Sequence, residues 1–209
     1  MQELLEKIKT ILSVTEGWCS FEKASEFVKY ILDNKLNLLV EIGVFGGSSL
    51  IPQALALKEL GRGKIYGIDP WTNEDALEEV IDNENKVWWE KLDIQRIYEH
   101  CVGNLEKYEI STYCQLIRDK AENVVDMFEN ESIDLLHIDG NHSEALSYKD
   151  ATLYLPKVKT NGFIFFDDIW WTEGGNQVTT RKAINYLLEK CEQITVVNND
   201  CMILKKIKS

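Results

Sequence analysis

Two apolar stretches of the chain end in acids. The first reads Ile133-Asp134-Leu135-Leu136-His137-Ile138-Asp139 and runs on into Gly140-Asn141-His142; the second reads Gly162-Phe163-Ile164-Phe165-Phe166-Asp167-Asp168. If these are neighbouring parallel strands, roughly 4.8 Å apart, their ends bring Asp139, Asp167 and Asp168 into one small region. Three clustered carboxylates repel one another unless something neutralises them. A divalent cation would do so, and all-oxygen ligation suits Mg²⁺, Mn²⁺ or Ca²⁺ better than Zn²⁺. The alternative is that the aspartates cap helices or bind loop amides. His142 opens the next helix, and imidazole titrates in the range a general base needs. It could equally bond a nearby backbone group. His137, inside a buried strand, reads as a satisfied core residue, and His100 beside Cys101 has no metal set around it. Trp170 and Trp171 follow the acid pair, and Trp18 lies in Glu16-Gly17-Trp18-Cys19. Flat aromatic faces suit a sugar or an aromatic ring, although Trp18 reads slightly better as packing under a loop. Trp88 and Trp89 read as helix core.

A second constellation is a glycine turn. A strand ends Val40-Glu41-Ile42-Gly43, and Val44, Phe45, Gly46, Gly47 and Ser48 lead into a helix. The glycines allow a sharp turn and close approach of a ligand. The next strand ends in Asp69, 28 residues after Glu41, where a carboxylate can accept two hydrogen bonds from a ribose diol. The spacing Gly43-x-x-Gly46-Gly47 is not the G-x-G-x-x-G that rests a pyrophosphate on a helix N-terminus. An acid two residues before the first glycine disfavours pyrophosphate and suits a cationic ligand. S-adenosylmethionine, with an ammonium and a sulfonium, is one.

The elements needed to position these groups are legible. Residues 1–34 read as an N-terminal helical extension, with a break at Thr15-Glu16-Gly17 and Ser20 as the cap of a second helix. Strands are expected at 36–42, 64–68, 112–117, 133–138 and 163–166. Helices are expected at 48–60, 88–105, 121–128, 143–155 and 179–190. Residues 71–86 read as a polar loop or lid, and Asn161-Gly162 as a turn into the fifth strand. Segments 194–197 and 202–205, around Asn198-Asn199-Asp200, read as a hairpin. Strands alternating with helices imply an α/β, doubly wound, mostly parallel sheet covered on both faces, closed by a C-terminal antiparallel hairpin. Ligands in such sheets sit beyond the carboxyl ends of the strands. A length of 209 residues fits one domain spanning 1–209.

On these motifs the chain resembles the class I S-adenosylmethionine-dependent methyltransferases. Their E/D-x-G-x-x-x-G motif is matched by Glu41, Gly43 and Gly47, and their acid after the second strand by Asp69. The resemblance covers most of the chain and implies their seven-stranded, Rossmann-like fold. It also implies that Asp119, or Lys120 and Ala121, contacts adenine; the alternative for Asp119 is a helix cap. Asp-Gly-x-His after the fourth strand and Phe-Asp-Asp after the fifth look like the metal-dependent sugar O-methyltransferases of the macrocin, mycinamicin and novobiocin pathways. That likeness implies Asp139, Asp167 and Asp168 as Mg²⁺ ligands and His142 as base. It also implies a role for Asp139 in binding the donor and in catalysis, and a small-molecule or glycan hydroxyl as acceptor. Catechol or phenol acceptors stay open, as does homo-oligomer formation.

Composition narrows the rest. A formal net charge of −12 disfavours nucleic-acid phosphates, and the small Lys205, Lys206, Lys208 cluster reads as a solvated tail. Five scattered cysteines without CxxC spacing suit thiols in a reducing compartment. The N-terminus reads as an amphipathic helix rather than a signal peptide. No apolar run approaches the ~20 residues that cross a bilayer. A soluble, cytoplasmic protein without a membrane partner is expected. The rival readings are a nicotinamide-dependent oxidoreductase, which the missing G-x-G-x-x-G opposes, and a non-catalytic binding protein, which the intact acids and His142 oppose.

Overall fold

The computed structural model describes residues 1–175 and 177–208. The chain begins with α1 (Gln2–Leu12) and α2 (Phe21–Asn34). Alternating strands and helices follow: β1 (Leu38–Ile42), α3 (Leu50–Leu60), β2 (Lys64–Ile68), α4 (Asn73–Ala76), α5 (Asn83–Lys91), α6 (Ile94–Lys107) and β3 (Cys114–Ile117). The rest comprises α7 (Ala121–Val124), β4 (Ile133–Ile138), α8 (Glu144–Tyr154), β5 (Val158–Phe166), α9 (Arg181–Leu188), β6 (Cys191–Val197) and β7 (Cys201–Lys206).

The sheet order is β3-β2-β1-β4-β5-β7-β6. The first five strands in that row pair parallel, and β7 pairs antiparallel with both β5 and β6. This is the doubly wound sheet and closing hairpin expected from the alternation of elements, a Rossmann-like methyltransferase fold. Its strand order reverses between β1 and β4, the switch point where such sheets bind ligands.

Two apolar layers cover the sheet. One joins α1, α2, α3 and α6 to side chains such as Leu39, Ile65, Leu135 and Phe165. The other joins α7, α8 and α9 to Val40, Leu136, Ile164 and Leu204. Alternate residues of each strand serve opposite layers, as a two-sided pleat requires. The N-terminal helices belong to the first layer: Ile8, Phe27, Val28 and Ile31 are wholly buried there. Helix α3 is buried from Leu50 to Leu57 because α1 and α2 close over its outer side.

Three local expectations change. Residues 71–86 are not a plain loop: Thr72 caps α4, and Asp82 caps α5 by accepting from the amides of Glu84 and Asn85. The helix expected over 88–105 is two helices, broken at Leu92-Asp93, where Asp93 accepts from the Arg96 amide at 3.0 Å and starts α6. Asn161-Gly162 lies inside β5, which begins at Val158. Asn161 sits at φ +68° and the β4–β5 register shifts between Ile133 and Leu135, so the pair makes an irregularity in the strand rather than a turn before it. Among the described residues, no helix is long and apolar enough to cross a membrane.

Candidate active site

Register builds the site. Glu41 lies opposite His137 across β1–β4, and His137 opposite Phe165 across β4–β5. Side chains two apart share a face, so Asp139 follows His137 and Asp167 follows Phe165 on that face. The amide of Asp139 donates to Ile42 O and that of Asp167 to Ile138 O, which locks the strand ends in step.

A deep tier of charges results. The Glu41 side chain is fully buried. It accepts from Ser49 Oγ at 2.8 Å and from the Gln53 amide, and lies 3.1 Å from His137 Nδ1. His137 Nε2 is 2.8 Å from Asp167 Oδ2. Burial opposes a charge on His137, but its contacts with Asp167 and Glu41 more than reverse this and lift it to about 10. Asp167 also accepts from the ammonium of Lys23, which comes from the first turn of α2. Burial would raise Asp167; His137 and Lys23 overcome that and hold it well below the usual carboxylate range.

These contacts revise two sequence readings. Glu41 does not line the cavity described below, so it is not an acid at the mouth of the site; it anchors α3 and His137 from beneath the turn. His137 is a core residue, as expected, but its neighbours are two acids: Nε2 is bonded to Asp167, while Nδ1 faces Glu41 at 3.1 Å without a well-aligned hydrogen bond.

A shallower tier faces a cavity of about 660 Å³ at the carboxyl edge of the sheet, lined in part by Asp139, His142 and Asp168. His142 Nε2 is 3.1 Å from Asp168 Oδ2 and 3.7 Å from Asp139 Oδ1. The nitrogen is buried and lacks a well-aligned hydrogen bond. Burial disfavours the imidazolium, but Asp139 and Asp168 raise its pKa above the ordinary histidine value. Asp139 is itself raised, first by burial and then by Asp167. Asp168 is raised chiefly by burial. Its backbone, at φ +54°, turns the chain away from β5, and its carbonyl accepts from Thr180 Oγ1 and the Trp171 amide.

The glycine turn is held from both sides. A side chain at Gly43 would put its Cβ 2.0 Å from the Asp139 carbonyl oxygen, and one at Gly46 would put it 2.3 Å from that of Glu16. These glycines are needed because β4 and the α1–α2 loop pass against the turn. That loop reaches Ser48 too: the Cys19 amide donates to Ser48 Oγ at 3.2 Å. From the other side Asp69 accepts the amides of Val44 and Phe45, both at 3.0 Å, and of Trp71 at 2.7 Å. Trp71 Nε1 donates to Phe45 O at 2.8 Å, which helps to hold Phe45 at φ +50° and Trp71 at φ +46°, an uncommon region for aromatic residues. Asp69 thus braces the loop and still lines the cavity, as do Gly43, Val44, Phe45 and Ser48; Gly46 and Gly47 do not line it.

After β3 the roles divide. Asp119 accepts from its neighbour Lys120 N and from Asn123 Nδ2, each at 2.7 Å; it is not part of the cavity wall, and the N-cap of α7 is Lys120, without a side-chain capping bond. Lys120 and Ala121 do line the cavity. Lys120 Nζ pairs with Asp75 at 2.9 Å and Glu78 at 2.7 Å, which ties the α4 segment over the opening.

The tryptophans are redistributed. Trp171 lines the cavity 4.9 Å from the His142 ring. Trp170 does not: it is half exposed and lies under the guanidinium of Arg181 at 5.0 Å. Trp18 is exposed rather than packed under a loop, with its ring 5.0 Å from Phe45 and 5.6 Å from Trp88. Trp88 is not helix core but 42% exposed, whereas Trp89 is partly buried against the first apolar layer; both line the cavity.

Two wall residues escaped the sequence reading. Lys23 lies four residues before Phe27 on the apolar stripe of α2, an odd place for a lysine and the signal that could have exposed it. Asp150 shares the buried face of α8 with Ser147, Ala151 and Tyr154. It lines the cavity beside Ala121 and Gly140, and burial pushes it up to about 7.

The expected set of three metal-binding aspartates does not stand free. Asp167 is already neutralised by Lys23 and His137, and Lys23 Nζ is also 3.7 Å from Asp139 Oδ2. The set left facing the cavity is Asp139, His142 and Asp168, whose nearest donor atoms lie within 4.8 Å of one another. One imidazole with two carboxylates does not fit the all-oxygen Mg²⁺ centre expected from the sequence.

Comparison with known proteins agrees with the fold and the turn. A family model described as a methyltransferase domain matches residues 40–169, from β1 to just past Asp168. The chain belongs to this methyltransferase-domain family. A search of curated proteins by sequence gives no match. Among solved structures, the S-adenosylhomocysteine-bound methyltransferase PaMTH1 of Podospora anserina superposes with a TM-score of 0.68 at 14% identity, covering 98% of this chain and 88% of that one. An O-methyltransferase from Bacillus cereus, in complex with S-adenosylhomocysteine, gives 0.67 at 14% identity, with 99% and 91% covered. The O-methyltransferase TomG of Streptomyces achromogenes, involved in tomaymycin synthesis and solved with S-adenosylmethionine, gives 0.65 at 14% identity, with 99% and 90% covered. At this identity the likeness is one of fold.

Proposed function

We propose that the protein is an S-adenosylmethionine-dependent O-methyltransferase acting on a hydroxyl of a small molecule or glycan, a sugar first among them. The observation that carries the reading is His142 Nε2, buried without a well-aligned hydrogen bond at the cavity wall between Asp139 and Asp168. The donor and product seen in the structural neighbours support the choice of donor. A cavity of about 660 Å³ is in the range of ordinary small-molecule sites.

The residues that would hold the donor are those of the Gly43–Phe45 turn, Asp69 with its remaining lone pairs, Lys120 and Ala121, and Asp139, whose carboxylate suits an ammonium. When bound, S-adenosylmethionine supplies a methyl group made electrophilic by a positively charged sulfur. His142 takes the proton from the acceptor hydroxyl as the oxygen becomes a nucleophile. Asp168 and Asp139 stabilise the imidazolium that forms. Trp171, Trp18 and Trp88 limit water and offer flat faces to the acceptor. No step is assigned to a divalent ion, because Asp167 is not free to hold one. A phenol or catechol is the second acceptor class, favoured by the Trp18–Phe45–Trp88 wall. A cytoplasmic protein with neither a nucleic-acid nor a membrane partner belongs to the same reading, and the net charge of −12 supports it.

A labelled-methyl transfer assay over a panel of glycosides and phenols tests this. Transfer to a hydroxyl is expected, with His142→Ala slower. Label appearing only on nitrogen or carbon acceptors would overturn the oxygen assignment.

A further inference from the structure

The deep tier holds a cation that the methyl-transfer reading leaves without a task. Lys23 lies at the start of α2, where the helix dipole disfavours positive charge, and its side chain is only 9% exposed. Burying an ammonium costs several kcal/mol unless it is well paired, so the position needs an explanation. Its carboxylate partners come from two different strand ends: Asp167 in direct contact and Asp139 at 3.7 Å. The placement is built. Ser20 Oγ accepts the Lys23 amide at 3.0 Å, and Asn198 Nδ2 from the β6–β7 turn donates to the same oxygen at 2.7 Å. Helix α2 is thereby fixed against the far side of the site. Lys23 also lines the cavity together with Asp139, His142 and Asp168.

We infer that Lys23 is the built-in cation of the reacting centre, standing between the Asp139 and Asp167 carboxylates where a divalent ion would otherwise be needed, so that methyl transfer runs without added metal. This rests on the methyl-transfer reading above. In the step itself the acceptor O–H bond breaks and its proton passes to His142. An oxygen lone pair forms the bond to the methyl carbon. The carbon–sulfur bond breaks and its electron pair stays on sulfur, which gives S-adenosylhomocysteine. The ammonium of Lys23 offsets negative charge that builds on the acceptor oxygen and holds Asp139 in place beside it. No proton leaves Lys23, so its contribution is fixed charge; burial opposes that charge, and the Asp139 and Asp167 carboxylates outweigh it.

The test uses Mn²⁺ as probe, with the full chain titrated calorimetrically and by electron spin resonance. Wild type is expected to take up no Mn²⁺ at micromolar concentrations and to keep its full transfer rate in excess chelator. Lys23→Met leaves Asp139 without its cation and Asp167 with His137 alone; it should gain Mn²⁺ affinity at least tenfold and lose transfer at least a hundredfold. Mn²⁺ should restore part of that loss, which repair of a merely structural defect would not do. Lys23→Arg keeps the charge and should stay metal-independent. Micromolar Mn²⁺ uptake by wild type, or loss of its activity in chelator, overturns the inference, and neither measurement depends on the variants folding. Calorimetry with S-adenosylmethionine runs in parallel. If that donor fails to bind wild type, the methyl-transfer reading falls; if it binds and is used but chelator stops transfer, only the role of Lys23 falls.

Discussion

The two tiers of charge at the carboxyl edge of the sheet use the same residue types in opposite ways. In the deep tier Glu41, His137, Asp167 and Lys23 form a closed chain of ion pairs, all buried. In the shallow tier Asp139, His142 and Asp168 are close but loosely aligned, and each is partly open to the cavity. The difference separates groups that supply fixed charge from groups that can move a proton. A buried charge held between opposite charges is costly to disturb and, where it is shut off from the cavity, has no substrate proton within reach. A histidine left without a well-aligned partner can accept one from a substrate.

The largest effect should come from breaking the deep tier. Asp167→Ala leaves Lys23 and His137 buried without their shared acid, and loss of one partner of such a pair costs about 3–5 kcal/mol. Urea unfolding should show that loss. A change under about 1 kcal/mol would mean that the tier is not closed in solution.

His142→Ala should do the reverse. Removing a general base lowers turnover by roughly 10²–10⁴-fold, while the unfolding midpoint and the dissociation constant for S-adenosylhomocysteine stay near those of wild type. The pH profile sharpens this. Asp139 and Asp168 raise the His142 pKa, and a base must be neutral, so turnover should climb with pH through an apparent value above the ordinary histidine 6.5. A flat profile between pH 6 and 9 would remove His142 as the base.

Asp150 belongs to neither tier and gives a smaller effect with a definite sign. Its folded-state pKa, pushed up to about 7 from 3.8, means that the folded chain holds a proton which the unfolded chain releases first. Stability should therefore fall as pH rises from about 4 to about 7, by at most about 4 kcal/mol for a shift of this size. Asp150→Asn should flatten that decline. An unchanged slope in pH-dependent urea melts would locate the titration elsewhere.

The smallest effect is expected at the rim. Trp18 is 68% exposed, so Trp18→Ala should shift stability by no more than about 0.5 kcal/mol. If its face meets the acceptor, KM should rise several-fold with kcat nearly unchanged. An unaltered KM for every acceptor would take Trp18 out of the site.

Much of this comparison was legible in the sequence, for local reasons. The apolar runs of β1, β4 and β5, the glycines after Ile42 and the cap Ser20 are short-range signals. They placed the strand ends and so the acids. What stayed hidden depends on contacts between distant segments. Nothing near Asp167 says that Lys23, 144 residues earlier, reaches it, so three aspartates read as an empty metal site. Glu41 reads as an acid beside a ligand turn, yet the pleat turns it inward toward His137. Trp88 reads as core because its hydrophobicity says nothing about which side of α5 faces the cavity. Gly43, at φ +84° on the cavity wall, makes the turn read from it; that it and Gly46 also make room for neighbouring backbone was not legible.

Calorimetric titration of the full chain with S-adenosylmethionine and with S-adenosylhomocysteine, in excess chelator and beside a nicotinamide dinucleotide, tests the central claim most directly. The account predicts one saturable site per chain for the methyl donor and its product, and none for the dinucleotide. Tight dinucleotide binding, with no heat from either sulfur compound on folded protein, would contradict it.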